Sequence, residues 1–228
     1  MKTKFLLSLC FVTCATMASA QLESKMGNYT YEAENGWQGL RISYNPAILY
    51  DSNGDDWNFN GFSVNYAKAF SLSYSSPLFL ETGVGFLWTK YSDKESVIYE
   101  EIPVTVDTRM TVASFNIPVN LAYQCSLSNS VSLIPYVGLN LKGYVLGELA
   151  VSAETEFAGE KIKETETINL FDDAELYEPY NRIAIGWQAG VNLMFDRFLV
   201  GVSYGTDLTE FNDGLRFSTA SITLGVDF

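Results

Sequence analysis

The side chains of this sequence that could do chemistry are carboxylates and hydroxyls. There are 27 Asp and Glu against 14 Lys and Arg, and no histidine in 228 residues. That absence bears on catalysis, because a serine nucleophile needs a neighbouring base and imidazole is the usual one at neutral pH. Ser203 therefore reads as small polar filling. Carboxylate-only glycosidase chemistry needs a paired acid and base, and no motif marks such a pair or a His-free acyl transfer. Asp51-Ser52-Asn53-Gly54-Asp55-Asp56 offers oxygen ligands for Ca²⁺ but lacks the glycine placement and terminal Glu of an EF-hand loop. From Glu148 to Glu178 ten Asp or Glu stand against Lys161 and Lys163. This reads as a solvated, self-repelling surface and excludes nucleic acid as a partner. The expectation is a protein that is not an enzyme, with no catalytic residues, cofactor or metal ligands assigned.

Four charged residues, Arg41, Glu81, Lys142 and Asp207, need an element that holds them, and alternation supplies it. Eight segments alternate large apolar side chains with Gly, Ser, Asn and Gln, the period of a β-strand. They lie near residues 36–45, 61–72, 78–89, 111–124, 131–146, 182–195, 198–208 and 217–228. The fourth is the cleanest, with Phe115, Ile117, Val119, Leu121 and Tyr123 opposed to Ser114, Asn116, Asn120 and Gln124. Each has roughly the 9 to 11 residues of a tilted strand that crosses a bilayer. Strand glycines fall mostly on the polar face, which suits the narrow interior of an eight-stranded barrel. The four charges then point inward as a structural plug, with Arg182 near the outer rim. Lys68 alone falls on the apolar face, a few residues before a turn, where its ammonium can reach headgroups.

The connections alternate too. Long stretches at 47–60, 90–110, 147–181 and 209–216 exchange with short ones at 73–77, 125–130 and 196–197. Outer-membrane barrels keep short turns on the periplasmic side and long loops outside. Within the third long stretch, residues 151–170 predict a hairpin turning near Ala158-Gly159, whose exposed edges can pair with a partner strand.

Lys2 and Lys4, an apolar run from Phe5 to Val12, and Ala18-Ser19-Ala20 before Gln21 predict a secretory signal peptide cleaved after Ala20. A lipoprotein reading at Cys10 or Cys14 fits poorly, since Leu9 and Thr13 are unsuited to precede an acylated cysteine. The organisation expected is a signal peptide at 1–20, a polar lead at 21–35 and a barrel domain at 36–228. Cys125 is then the only cysteine, so no intrachain disulfide forms.

Ser114-Phe115-Asn116-Ile117-Pro118-Val119-Asn120-Leu121-Ala122-Tyr123, with Leu133-Ile134-Pro135-Tyr136-Val137-Gly138-Leu139 after it and Gly39-Leu40-Arg41 earlier, resembles the PorT-like outer-membrane β-barrel domain family. The overall plan also resembles OmpX-type barrels. Ile222, Leu224, Val226 and terminal Phe228 are similar to the C-terminal signal read by barrel-assembly machinery. The resemblance implies an all-β fold, an eight-stranded antiparallel up-and-down transmembrane β-barrel, integral to a Gram-negative-type outer membrane. Its partners would be outer-membrane lipid, the assembly machinery and a protein at the extracellular loops. The function expected is a surface-interaction or structural role. The alternatives are an accessory of an envelope secretion or assembly machine and a soluble lipocalin-like ligand-binding barrel.

Overall fold

A computed structural model describes residues 36–51, 56–73, 76–99, 102–128, 130–157, 160–172 and 180–228. The expected signal peptide with Ala18, Ala20 and Gln21, the polar lead, and the turn at Ala158-Gly159 lie outside the described residues. Eleven strands follow in order: β1 Gln38–Tyr44, β2 Ala47–Tyr50, β3 Asp56–Ser71, β4 Leu78–Tyr99, β5 Ile102–Tyr123, β6 Cys125–Ser126, β7 Val131–Phe157, β8 Glu160–Asn169, β9 Ile183–Phe195, β10 Phe198–Asp207 and β11 Arg216–Asp227. All pair antiparallel. β1 and β2 together fill one position in the wall, interrupted at Asn45-Pro46, because Pro46 has no N–H to give to a ladder. The wall then runs β3, β4, β5, β7, β9, β10 and β11, and β11 returns to pair with both β1 and β2. This ring of eight closes the sheet, so its barrel part has no open edge.

The face each side chain takes follows from the period of two. In β1, Leu40, Ile42 and Tyr44 are exposed while Arg41 and Ser43 are buried. The same holds in β5, where Phe115, Ile117, Val119 and Leu121 are exposed and Ser114, Asn116 and Asn120 are buried. The barrel therefore carries its apolar residues outside and its polar residues inside. A soluble lipocalin-like barrel would have the reverse arrangement, so that alternative is corrected here. Exposed apolar residues recur on every wall strand, far beyond the few hundred Å² patch that a soluble monomer carries. Aromatic rings gather at two levels of this belt: Tyr44, Phe62 and Trp88 toward the long loops, and Phe70, Phe195, Phe198 and Phe228 toward the short turns. Lys68 is exposed on the outer face, its ammonium 5.2 Å from the centre of the Phe70 ring near the short-turn end.

Local chemistry sets the details. The β9–β10 turn has two residues, since Phe195 pairs with Phe198, and Asp196 takes a left-handed φ of 51° that a short polar side chain tolerates. The β4–β5 register passes from Thr82 opposite Val119 to Gly85 opposite Asn116, skipping the pairs around Pro118. Proline cannot donate to that ladder. In β7, Ser114 faces Tyr144 but Ala113 faces Leu146. Val145 is thus an extra residue, a β-bulge in the wall.

Three strands run well past the expected ends. The stretch at 90–110, expected as a loop, is the upper part of the β4–β5 hairpin, paired from Lys90 opposite Thr111 to Tyr99 opposite Ile102. β7 continues to Phe157, and β8 returns beside it from Glu160 to Asn169, the hairpin expected there. Much of the acidic stretch 148–178 is therefore ordered strand rather than loop, with Glu154 facing Lys163 across the ladder.

Candidate functional site

Two places gather the residues that alternation leaves without a purely apolar role: the lumen and the sheet above its rim. In the lumen the structure places Arg41, Glu81, Lys142 and Asp207, all buried, but in two separate clusters. Toward the short-turn end, Arg41 Nη2 stands 3.5 Å from Glu81 Oε2 and 3.4 Å from Asp227 Oδ1. Glu81 also accepts hydrogen bonds from Trp37 Nε1 at 2.8 Å and Asn120 Nδ2 at 3.3 Å, and Gln188 Nε2 donates to Asn120 at 2.7 Å. Toward the long-loop end, Lys142 Nζ donates to Asp207 Oδ1 at 2.6 Å, and the Tyr144 hydroxyl donates to Asp207 Oδ2 at 3.3 Å.

Trp37 and Asp227 were not among the residues singled out from the sequence. Asp227 carries the inward parity of β11, but Arg41 lies 186 residues away and meets it only when the ring closes. Trp37 precedes the first alternating strand and has no periodic signal.

Between the clusters lies a cavity of about 140 Å³ lined by Asn65, Asn116, Asn140, Ser203 and their neighbours. Arg41 Nε and Nη1 and Asn140 Oδ1 make no hydrogen bond within the protein, and buried groups of this kind take water. The lumen glycines leave this room. A Cβ on Gly190 would sit 2.7 Å from the Tyr136 ring and from the Ser203 side chain. Ser203 is hydrogen-bonded to Tyr136.

Both ends of the lumen are closed by apolar packing. Below, Trp37, Phe79, Ala122 and Ile134 form a plug, with Trp37 and Phe79 ring centres 4.7 Å apart. Above, Phe59, Phe217, Tyr144, Phe171 and Phe211 pack together, with Phe171 and Phe211 reaching in from outside the wall strands. Arg182, expected near the outer rim, lies over the Phe171 ring at 4.8 Å and donates to the Phe171 carbonyl. Burial against this plug pushes the Tyr180 phenol up, and a hydrogen bond with Asn212 works the other way.

Above the plug, the ends of β4, β5, β7 and β8 stand as a four-stranded sheet. Residues 91–99 of β4 pair only with β5, and β8 pairs only with β7. Both outer edges therefore present backbone groups to solvent. On the outward face, Arg109 pairs with Asp107, and Ser152 and Thr165 share a hydroxyl hydrogen bond of 2.9 Å. At the opposite end of the barrel, Ile222, Leu224, Val226 and Phe228 are all exposed along the outer face of β11 and the residue after it.

No protein-family model matches this chain, the PorT-like motifs included, and no curated protein matches it. The solved structures to which it is similar include proteins of the bacterial outer membrane. One is Ail, the attachment invasion locus protein of Yersinia pestis, at 14% identity, covering 86% of this chain and 100% of that one, with a TM-score of 0.39. Neisserial surface protein A is similar at 14% identity, 84% and 97% coverage and a TM-score of 0.40. The outer membrane enzyme PagL is similar at 12% identity, 81% and 98% coverage and a TM-score of 0.33.

Proposed function

We propose that this chain is an integral outer-membrane barrel that neither conducts nor catalyses, and that it holds a sheet above the membrane for contact with another protein. The observation that carries this reading is the polarity of one continuous wall. Its outer face is apolar wherever eight strands close the ring, and three of those strands, β4, β5 and β7, go on past the belt and make with β8 a sheet with a largely polar outer face and open edges. In lipid a closed barrel satisfies its backbone internally, and the belt would be covered by acyl chains. The plugs above and below the lumen support a structural role for Arg41, Glu81, Lys142 and Asp207, which would stiffen the wall from inside. The exposure of Ile222, Leu224, Val226 and Phe228 on the outer surface of the closing strand supports reading them as a recognition stripe for assembly machinery.

Open edges favour strand addition by a partner, and Lys90, Lys94 and Lys163 beside them discourage promiscuous self-pairing. The test uses the protein in its membrane. A Ser96→Cys variant should react with a membrane-impermeant maleimide on intact cells, and the purified protein should show a heat-modifiable gel shift and no stable conductance in planar bilayers. Labelling only after lysis, or a steady current, would overturn the reading.

A further inference from the structure

The lumen-side face of the protruding sheet has a composition that the barrel below it does not share. Two successive register rows cross all four strands. One runs Asp93, Thr108, Val151, Glu166, and the next runs Glu95, Val106, Ala153, Glu164. Its orientation is fixed by the row beneath, in which Tyr91, Met110 and Leu149 pack against the upper plug. Each row thus has a carboxylate on either edge strand and uncharged side chains, mostly small and apolar, on the two central strands. No Lys or Arg lies on this face among the described residues of the four strands. The opposite face carries Lys90, Lys94, Arg109 and Lys163 with Asp107, Glu148 and Glu154. The acidic residues Asp93, Glu95, Glu164 and Glu166 are exposed, as are Val97 and Ile162 in the row above.

We infer that this face binds an extended, basic segment of a partner protein lying across the strands, a proposal that rests on the surface-contact reading above. The spacing selects the pattern. β4 and β8 are three strand separations apart, about 14 Å at ~4.8 Å each. In an extended chain, residues i and i+4 lie about 13 Å apart and point the same way as i+2. A basic residue, an apolar residue two positions on and a second basic residue two further on therefore match carboxylate, apolar centre and carboxylate. The apolar side chain settles on the Val106 and Val151 strip, and the flanking ammonium or guanidinium groups meet the acids at the edges. Such rim charges set partner choice and encounter rate more than raw affinity.

Other ligand classes fit less well. Carboxylates on opposite edges are too far apart to share one metal ion, whose oxygen ligands stand within about 2.6 Å for Ca²⁺, and no cluster of three or more ligating side chains occurs among the described residues. Anionic headgroups would be repelled.

The probe is a labelled peptide containing Lys-Thr-Val-Thr-Lys between Gly-Ser flanks, read by fluorescence anisotropy against the full protein in nanodiscs. A peptide of the same composition scrambled to Lys-Lys-Val-Thr-Thr is the comparison. The patterned peptide should bind at least about tenfold more tightly than the scrambled one, and a D93N/E95Q/E164Q/E166Q variant should lose about tenfold in affinity. A K90Q/K94Q variant on the opposite face should bind as the parent does. Equal binding of the two peptides, unchanged binding by the quadruple variant, dependence on Lys90 and Lys94, or no binding at all would each overturn the inference. The heat-modifiable shift and the bilayer current are measured on the same samples. A folded, non-conducting barrel that ignores the peptide defeats this inference alone, whereas a conducting or unshifted protein defeats the barrel reading beneath it.

Discussion

The lower and upper halves of β4 and β7 make a comparison within single strands. In the lower half of β4 the outward residues are Leu78, Leu80, Val84, Phe86 and Trp88 with one polar residue, Thr82, and the inward ones include Glu81 and Gly85. In the upper half the outward residues are Lys90, Ser92, Lys94 and Ser96, with Ile98 near the tip, and the inward side gains Tyr91 and Val97 beside its acids. β7 changes in the same way, from Val137, Leu139 and Leu141 outside to Glu148 and Glu154, while its inside passes from Asn140 and Lys142 to Leu149 and Val151. The backbone and the ladder continue, and only the solvent changes. Side-chain chemistry in a strand therefore reports its surroundings rather than its hydrogen bonding.

The largest effect that would test this contrast comes from the lower half. Lys142→Ala leaves Asp207 buried without its cation, and removing one member of a buried ion pair costs about 3–5 kcal/mol. Urea titration of the heat-modifiable band should show it. A smaller effect follows from placing a charge on the belt. Val84→Arg should cost about 2–4 kcal/mol if Val84 lies near the bilayer midplane, whereas Ser96→Arg, twelve positions on along the same face, should stay within about 0.5 kcal/mol. Equal costs at the two positions would mean that the outer face does not change solvent at the rim. The smallest is Trp37→Phe, which keeps the contact with Phe79 but takes the indole donor from Glu81. Losing one donor from a buried carboxylate that keeps Asn120 and Arg41 beside it costs about 1–3 kcal/mol, read by the same titration.

How much was legible in the sequence follows the same division. The closed part of the barrel was readable because lipid outside and a narrow polar lumen inside impose opposite demands on alternate residues, and β5 from Ser114 to Tyr123 obeys both. Lys90-Tyr91-Ser92-Asp93-Lys94-Glu95-Ser96 shows no such contrast, since both faces meet water above the rim, and its pattern reads as a loop. In β7 there is a second obstacle. The extra residue at Val145 moves the outward positions from odd to even numbers, so a period counted from Val131 falls out of phase beyond it. The lumen charges were legible one at a time by parity. Their division into an Arg41 cluster and a Lys142 cluster was not, because contacts such as Trp37 with Glu81 span 44 residues and depend on the registers of the intervening strands.

Val145 also has a meaning for how this surface can vary. Losing that one codon, with the ladder to β5 kept in step on both sides, would remove the bulge and leave each side chain above it on its present face, because residues opposite one another in a ladder share a face: Leu149 would stay with Met110 on the plug side and Glu148 with Thr111 outside. The upper end of β7 thus takes its frame from β5 rather than from its own residue count, and Val145 is a spare position that the strand can lose. Substitutions retune that surface one side chain at a time, and a single-residue deletion at the bulge leaves the strand above it facing as before.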